Sequence, residues 1–166
     1  MDIVLDCDII STLAKIDEIN LLFDLFKKSR VLIPNAVYVE LLEAEKIGFT
    51  FPRQILNSKI ELSAMKKNEL EDFKKTVSTP KIHSGEAEGI TIAKNRNGFF
   101  LTNDRTAVKF CEQEDVMVLD LKDLLRLAAR KRIVDEAKMR QIIKDIEVKD
   151  NTVIVETDDI FNEYND

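Results

Sequence analysis

Short apolar runs alternate with longer amphipathic stretches along most of the chain. Apolar runs bounded by polar residues predict buried strands, and they occur at 3–5, 31–33, 99–102 and 116–119. Apolar residues spaced three and four apart predict amphipathic helices at 17–28, 36–46, 66–76, 86–96, 121–131 and 134–146, with one more beginning near Arg105. Residues 49–64 have no clear period and receive no assignment.

Strands that alternate with helices are typical of a parallel sheet whose two faces are both covered. We therefore expect an α/β fold, a three-layer α/β/α sandwich around a central parallel sheet of four to five strands. The 166 residues fit one domain. We place that domain at residues 1–147 and an acidic C-terminal extension at residues 148–166.

The composition is that of an ordinary globular protein, with 45% apolar and 34% charged residues. The acidic N-terminus does not resemble a signal peptide, and no apolar run approaches the length that spans a membrane. Cys7 and Cys111 belong to no metal or redox motif, so we predict two reduced, buried thiols. We expect no membrane association and a cytoplasmic location.

The net charge of −6 is concentrated at the C-terminus. Residues 147–166 hold seven acids and one base, so residues 1–146 are neutral overall and can present a basic face to a polyanion. Apolar residues recur in this acidic extension, and we expect it to dock on a surface that the sequence does not identify; they are Val153, Ile154, Val155, Ile160, Phe161 and Tyr164.

Acidic side chains occur where a parallel sheet collects its functional groups. Asp6 and Asp104 follow predicted strands, and function gathers at the carboxyl ends of strands in such sheets. Glu40 and Glu86 lie on predicted helices at positions that face partly inward. Inward acids repel one another and lose solvation, and a divalent cation relieves both costs. Mg²⁺ prefers such oxygen ligands.

Each acid also has a purely structural interpretation. Asp6, Asp8 or Asp104 could cap a helix, and Asp8 could instead support Asp6. Glu40 could be one of several exposed acids on its helix, and Glu86 could favour a helix dipole. Glu88, about 200° around the helix from Glu86, could be a capping residue or a further ligand.

Other catalytic classes find little support. His83 is the single histidine, so a histidine-rich metal site is excluded, and Ser11 and Thr12 have no histidine partner nearby in sequence. No phosphate-cradling GxxxxGK[ST] or GxGxxG motif occurs.

Four segments together resemble a PIN domain, in particular the small prokaryotic VapC-type proteins with a GEAE segment. They are IVLDCDIISTLAKI, VLIPNAVYVELLEA, HSGEAEGITIAKNRNGFFLTNDRTAVKF and VMVLDLKDLLRLAARKRIV, and the resemblance covers roughly residues 1–147. It implies a metal-dependent endoribonuclease that uses Mg²⁺ or Mn²⁺. Many relatives carry Asp at the third acidic position, where this chain has Glu86 and Glu88.

The resemblance also implies roles for single residues. The catalytic acids match Asp6, Glu40, Glu86 and Asp104; Asp6, Glu86 and Asp104 would hold the cation, with Glu88 as an alternative or additional ligand. Glu40 would bind a cation or orient the attacking water. Asn103, just before the fourth acid, could shift that ligand by one residue. Residues expected to position substrate or a ligand are Ser11, Thr102, Asn103 and Arg105.

Basic residues provide candidate phosphate contacts, although each could equally belong to a solvated face. They are Arg53, Lys81, Arg105, Lys109 and a cluster of Arg126, Arg130, Lys131 and Arg132. The resemblance implies RNA as substrate, a cognate antitoxin as partner and a homodimer. The acidic tail could cover the basic face and weaken RNA binding, or it could add a small edge strand and helix.

Two other functions remain open at this point. A haloacid-dehalogenase-like phosphatase also begins with a segment like IVLDCD, but its later acidic segment is missing and the GEAE helix has no role there. A catalytically silent PIN fold that binds RNA or protein is the second alternative.

Overall fold

The computed structural model describes residues 1–165, and its centre is a five-stranded parallel sheet. The strands are β1 (Asp2–Leu5), β2 (Arg30–Pro34), β3 (Glu61–Ser63), β4 (Phe99–Leu101) and β5 (Met117–Leu119). Their spatial order is β3-β2-β1-β4-β5, and every neighbouring pair is parallel. The predicted α/β class and the strand number are confirmed.

Helices cover both faces of the sheet, which confirms the three-layer sandwich. They are α1 (Cys7–Lys15), α2 (Asn20–Leu25), α3 (Asn35–Lys46), α4 (Phe51–Leu56), α5 (Leu70–Val77), α6 (Ser84–Asn95), α7 (Arg105–Gln113), α8 (Leu121–Arg130), α9 (Glu136–Asp150) and α10 (Asp158–Asn162). A single 3₁₀ turn, Lys67–Glu69, precedes α5. No helix within residues 1–165 is both long and apolar enough to cross a membrane.

Each face of the sheet has its own apolar core, because successive side chains of a strand point to opposite faces. Ile3 and Leu5 of β1 pack with buried residues of α1, α8 and α9. Val4 and Phe100 pack on the other face against α6 and α7. Cys111 is buried in this second core and Cys7 is half-buried, and both are free thiols.

The structure departs from the predicted elements where local periodicity carried little information. The prediction gives no bounds for a helix at 7–15, although Asp6 and Asp8 are candidate helix caps; α1 begins directly after β1, with Asp6 as its N-cap. In place of the predicted helix 17–28 the structure has only α2. Asp17 has a positive φ of 62°, which ends the preceding turn, so the helix begins later than predicted. The edge strand β3 was missed, since Glu61 and Leu62 are both exposed and show no alternation.

The C-terminal extension docks, as predicted; the surface it docks on is the domain itself, and it contributes a helix. Helix α9 continues to Asp150, so the boundary placed at residue 147 lies inside it. Asp150 accepts hydrogen bonds from Thr12 Oγ1 (2.7 Å) and Lys15 Nζ (2.5 Å), which fasten the end of α9 to α1. Residues 152–156 form neither helix nor strand, so the edge strand considered for the tail is absent from the described residues.

An ion-pair cluster holds α10 against α8. The side chain of Glu163 is 8% exposed and accepts hydrogen bonds from Arg126 Nη2 (2.9 Å) and Arg130 Nε (2.8 Å). These two guanidinium groups, against a smaller opposing effect of burial, lower the pKa of Glu163 from 4.5 to about 2. Ile160, fully buried, anchors the same helix to the core.

We expect the docking of α10 to weaken as pH falls from about 4.5 to about 2. A carboxyl group whose pKa is lowered by folding stabilises the folded state above its unfolded pKa, and that contribution disappears as it is protonated. At pH 7, Glu163→Gln should reproduce the effect by removing the negative charge that Arg126 and Arg130 contact. Amide hydrogen exchange of residues 157–165 would report it. Asp158→Asn, an exposed acid of α10, is the matched control and should leave protection unchanged.

Candidate metal and nuclease site

The carboxyl ends of β1 and β4 lie side by side at the point where the chain changes direction in the sheet. The chain runs from β1 outward through β2 and β3, then crosses to β4 on the other side of β1. Leu5 pairs with Leu101, and the backbone N–H of Asp6 donates to the carbonyl of Leu101 (2.9 Å). Ligands of open α/β sheets bind at such switch points.

Asp6 is the N-cap of α1 and is held by both of its oxygens. Oδ1 accepts from the N–H of Cys7 (2.8 Å), and Oδ2 accepts from the hydroxyl of Thr102 (2.7 Å). The first acid of the candidate set therefore has one fixed orientation at the end of β1. Its role as a helix cap, which the sequence left as an alternative, coexists with its place in the site.

Thr102 links the two strand ends. Its hydroxyl donates to Asp6 and accepts from the N–H of Asp104 (3.1 Å). Asp104 caps α7 with Oδ1, which accepts from the N–H groups of Thr106 (2.7 Å) and Ala107 (2.8 Å). Thr102 is fully buried, so of the two roles expected for it, its contacts fit the positioning of an acidic ligand and not direct contact with substrate.

Helix α6 brings Glu86 to the same edge of the sheet. Gly89 faces the ring of Phe100 in β4 so closely that an added Cβ would overlap it, which lets α6 pack tightly on the strand. Glu86 is 9% exposed and its Oε2 accepts from the N–H of His83 (2.9 Å) in a capping box. His83 is thus the N-cap of α6.

Glu88 has a different neighbourhood from Glu86. Its Oε2 accepts from the N–H of Ala36 (2.9 Å), at the start of α3, and the side chain is buried. The capping position suggested for Glu88 is wrong, because Glu86 occupies it. Glu88 instead satisfies a backbone donor at the first turn of α3, a helix whose N-cap, Pro34, supplies no side-chain acceptor.

The acids at this edge influence one another electrostatically. Burial raises the pKa of Asp6, hydrogen bonds from Thr102 and Cys7 oppose this, and the charge of Asp104 raises it further. Burial likewise raises the pKa of Glu86, and the charges of Asp104 and Asp6 add to the shift. The three carboxylates therefore influence one another in every pair, and positive charge placed among them would be favourable.

The donor set suits a hard divalent cation, although the oxygens do not form a finished coordination site. Oδ2 of Asp104 and Oε1 of Glu86 accept no hydrogen bond from residues 1–165 and remain available as ligands. Carboxylate oxygens are the ligands that Mg²⁺ prefers, and positive charge would relieve the repulsion described above. No group of three acidic, histidine or cysteine side chains in the described chain is already arranged to hold a metal ion.

Glu40 lies at the margin of this cluster. The sequence pattern predicted a partly inward orientation; Glu40 as a whole is exposed on α3. Its carboxylate still borders the site, since Oε1 lies 3.3 Å from where a Cβ on Gly85 would be. Burial and then the charge of Glu40 raise the pKa of the Cys7 thiol to about 12, which keeps that thiol protonated.

Asp8, which the sequence suggested as a helix cap or a support for Asp6, supports a neighbouring loop. Its Oδ2 accepts from the N–H of Asn103 (2.8 Å), so it braces the loop that carries Asp104. Burial and the charge of Asp6 raise its pKa to about 7. Of the predicted substrate contacts, Asn103 ties this loop to α8, because its Oδ1 accepts from the N–H of Leu121 (3.0 Å). Ser11 donates to the carbonyl of Asp8 (3.0 Å) within α1.

The predicted phosphate contacts divide into paired and unpaired residues. Arg53 forms an ion pair with Glu45, and Arg126 and Arg130 form ion pairs with Glu163. Arg132 donates a hydrogen bond to the carbonyl of Tyr164, and Lys131 donates one to the carbonyl of Leu25. These residues therefore have partners within the protein and do not form the basic face that the sequence suggested for a polyanion. The predicted phosphate contacts without an ion pair or hydrogen bond to residues 1–165 are Lys81, Arg105 and Lys109.

Solved structures share this fold at low sequence identity. A PilT N-terminus domain protein from Sulfolobus solfataricus P2 is 15% identical, with a TM-score of 0.52 over 75% of this chain and 90% of that one. A chain of VapBC2 from Rickettsia felis, solved with a DNA fragment from their promoter, is 15% identical with a TM-score of 0.57. A chain of VapBC-1 from nontypeable Haemophilus influenzae is 16% identical with the same TM-score. Each VapBC alignment covers 72% of this chain and 98% of the other.

Sequence comparison supplies the family. No curated protein matches the chain in sequence. A family model described as a PIN domain matches residues 2–156, which include all four candidate acids and about half of the C-terminal extension. The match gives no support to a haloacid-dehalogenase-like phosphatase. The match extends over nearly the whole chain, and the strand order and the acids at the switch point agree with it. The protein therefore belongs to the PIN-domain family.

Proposed function

We propose that the protein is an endoribonuclease that depends on Mg²⁺ or Mn²⁺. One observation carries the proposal: Thr102 joins Asp6 and Asp104 at the switch point, and Glu86, from a third part of the chain, interacts electrostatically with both. Such an arrangement costs stability unless a cation compensates it, so selection for folding alone does not account for it. PIN-family membership, with metal-dependent ribonucleases as the expected class, agrees with this reading.

Each residue of the site has a distinct task in this proposal. Asp6 and Asp104 would hold the cation, with Thr102 fixing the spacing between them. Glu86 would contribute Oε1, and Glu40 at the exposed margin would accept a proton from the attacking water. The bound cation would activate that water and neutralise charge that develops on the phosphate. Asp8 would keep the Asp104 loop in place through Asn103.

A cleavage assay on RNA tests the proposal. Because the preferred sequence is unknown, the substrate is a pool of single-stranded RNA with a randomised segment. We expect internal cleavage with Mn²⁺ or Mg²⁺, none with EDTA, and no hydrolysis of a phosphate monoester such as p-nitrophenyl phosphate. Intact RNA after incubation with Mn²⁺ at high enzyme concentration would contradict the proposal.

A catalytically silent binding module is the second candidate. Two observations favour it: no three side chains of residues 1–165 are arranged in advance to hold a metal ion, and Glu40 is exposed. A silent module should bind RNA or a protein equally well before and after Asp6→Asn, and it should cut RNA under no metal condition. The first assay therefore separates the two candidates.

The partners follow from the same assignment. We propose that the protein acts as the toxin of a toxin–antitoxin pair, since similar folds occur in the structures of VapBC2 and VapBC-1. An antitoxin would restrain the nuclease in its host, where a cytoplasmic location and a homodimer are further expectations. Purification from the native host without any stoichiometric second protein would count against the pairing.

A further inference from the structure

A small cleft beside the N-terminal half of α7 is lined by cations and by no acid. This α7 cleft has a volume of about 300 Å³, and Lys81, Arg105 and Lys109 contribute its charges. All three are exposed, and none forms an ion pair or hydrogen bond with another residue among 1–165. The remaining lining residues are neutral, including Pro80 and Phe110. A polyanion entering this cleft would meet no repelling carboxylate in its wall.

A second, larger cleft shares one wall with the first. This tail cleft, of about 780 Å³, lies between α7 and residues 150–155 of the C-terminal extension, and Arg105 and Lys109 line it too. Its other two cations are neutralised: Lys15 pairs with Asp150, and Lys122 pairs with carboxylates of the tail. Acids also line it. Of the cations that line the two clefts, Lys81, Arg105 and Lys109 have no ion pair within residues 1–165, and the α7 cleft is lined by all three without an acid.

The α7 cleft adjoins the carboxylates along the chain at two points. Arg105 is the first residue of α7 and directly follows Asp104, whose side chain caps that helix. Lys81 lies two residues before His83, whose N–H binds Glu86. The cations and the acids thus share the same two short segments, so a phosphate held by the cations would lie next to the acidic cluster.

We propose that the α7 cleft binds backbone phosphates of single-stranded RNA beside the bond that is cut, an assignment that rests on the proposed function. Lys81, Arg105 and Lys109 would each contact phosphate, and Pro80 with Phe110 offers an apolar wall against which a base can lie. The cleft is far too small for a duplex. The α8 cations take no part, because the tail already neutralises them.

The salt dependence of RNA binding tests the assignment. Binding of a labelled single-stranded RNA is measured by fluorescence anisotropy between low and moderate salt, in an Asp6→Asn background so that RNA stays intact. Each phosphate contact on a single strand contributes about 0.7 to the slope of log K against log salt. The pair Lys81→Gln/Lys109→Gln should lower the slope by about 1.4 and weaken binding about tenfold or more at low salt.

A matched pair of substitutions controls for net charge. Lys59→Gln/Lys144→Gln removes two exposed lysines outside both clefts and should leave the slope unchanged. Equal slopes for the two double variants would overturn the assignment, even if the wild type cleaves RNA. A lower slope only for the α7 pair supports the cleft, whether or not the wild type cleaves. No RNA binding by the Asp6→Asn parent would also overturn it and would leave a protein as the partner of this surface.

Discussion

Asp6→Asn and Asp104→Asn should each reduce RNA cleavage by about 100-fold or more while the protein stays folded. Both substitutions remove a carboxylate from the site and keep the local fold, since Asn caps helices as well as Asp does. Asp6 caps α1 and Asp104 caps α7, so an alanine at either position would confuse lost chemistry with a lost cap. Cleavage rate and thermal unfolding, measured on the same preparations, separate the two effects.

Glu86 and Glu88 provide the internal control for this prediction. Glu86→Gln should lower cleavage as strongly as the aspartate changes, because Glu86 interacts with both Asp6 and Asp104. Glu88→Gln should leave it near the wild-type rate, because an amide oxygen can still accept the hydrogen bond from Ala36. If Glu88→Gln were the inactive variant, Glu88 would be the third acid and the assignment of Glu86 would be wrong.

Mn²⁺ should raise the melting temperature of the wild type by roughly 5–10 °C at about 100 times its dissociation constant. Saturation at that level adds about 2.7 kcal/mol to the free energy of unfolding. In a chain of this length, each kcal/mol shifts the melting temperature by about 2–4 °C. The gain is physically reasonable because the cation would relieve repulsion among acids whose pKa values burial and mutual charge have raised.

The same experiment on variants locates the cation. Asp6→Asn and Asp104→Asn should lose most of the Mn²⁺ effect, and Asp6→Asn without metal should be at least as stable as the wild type. A carboxyl group whose pKa folding has raised destabilises the folded state once pH exceeds that pKa, and an amide does not. Asp24→Asn, an exposed acid of α2, is the matched control and should keep the full shift. An equal Mn²⁺ shift in all variants would place the cation elsewhere.

Local sequence determined much of the fold and the identity of the central acids. β1 and β4 are short apolar runs followed directly by Asp6 and Asp104, and adjacent parallel strands bring their carboxyl ends together. Periodicity also located α6 and the buried face that carries Glu86. These features could be predicted because each depends on spacing within one element and on a general rule of sheet topology.

Contacts between distant segments decided the rest. The difference between Glu86 and Glu88 depends on where α3 begins. The N–H of Ala36, in the first turn of α3, donates to the carboxylate of Glu88 and holds it there. The basic α8 face is neutralised by Glu163, 33 residues after Arg130, and no local pattern reveals such a pairing. The edge strand β3 forms because β2 offers a free edge, although its own residues are exposed. The chain thus specifies its elements through local periodicity, whereas partners of single charged groups depend on long-range packing that periodicity does not encode.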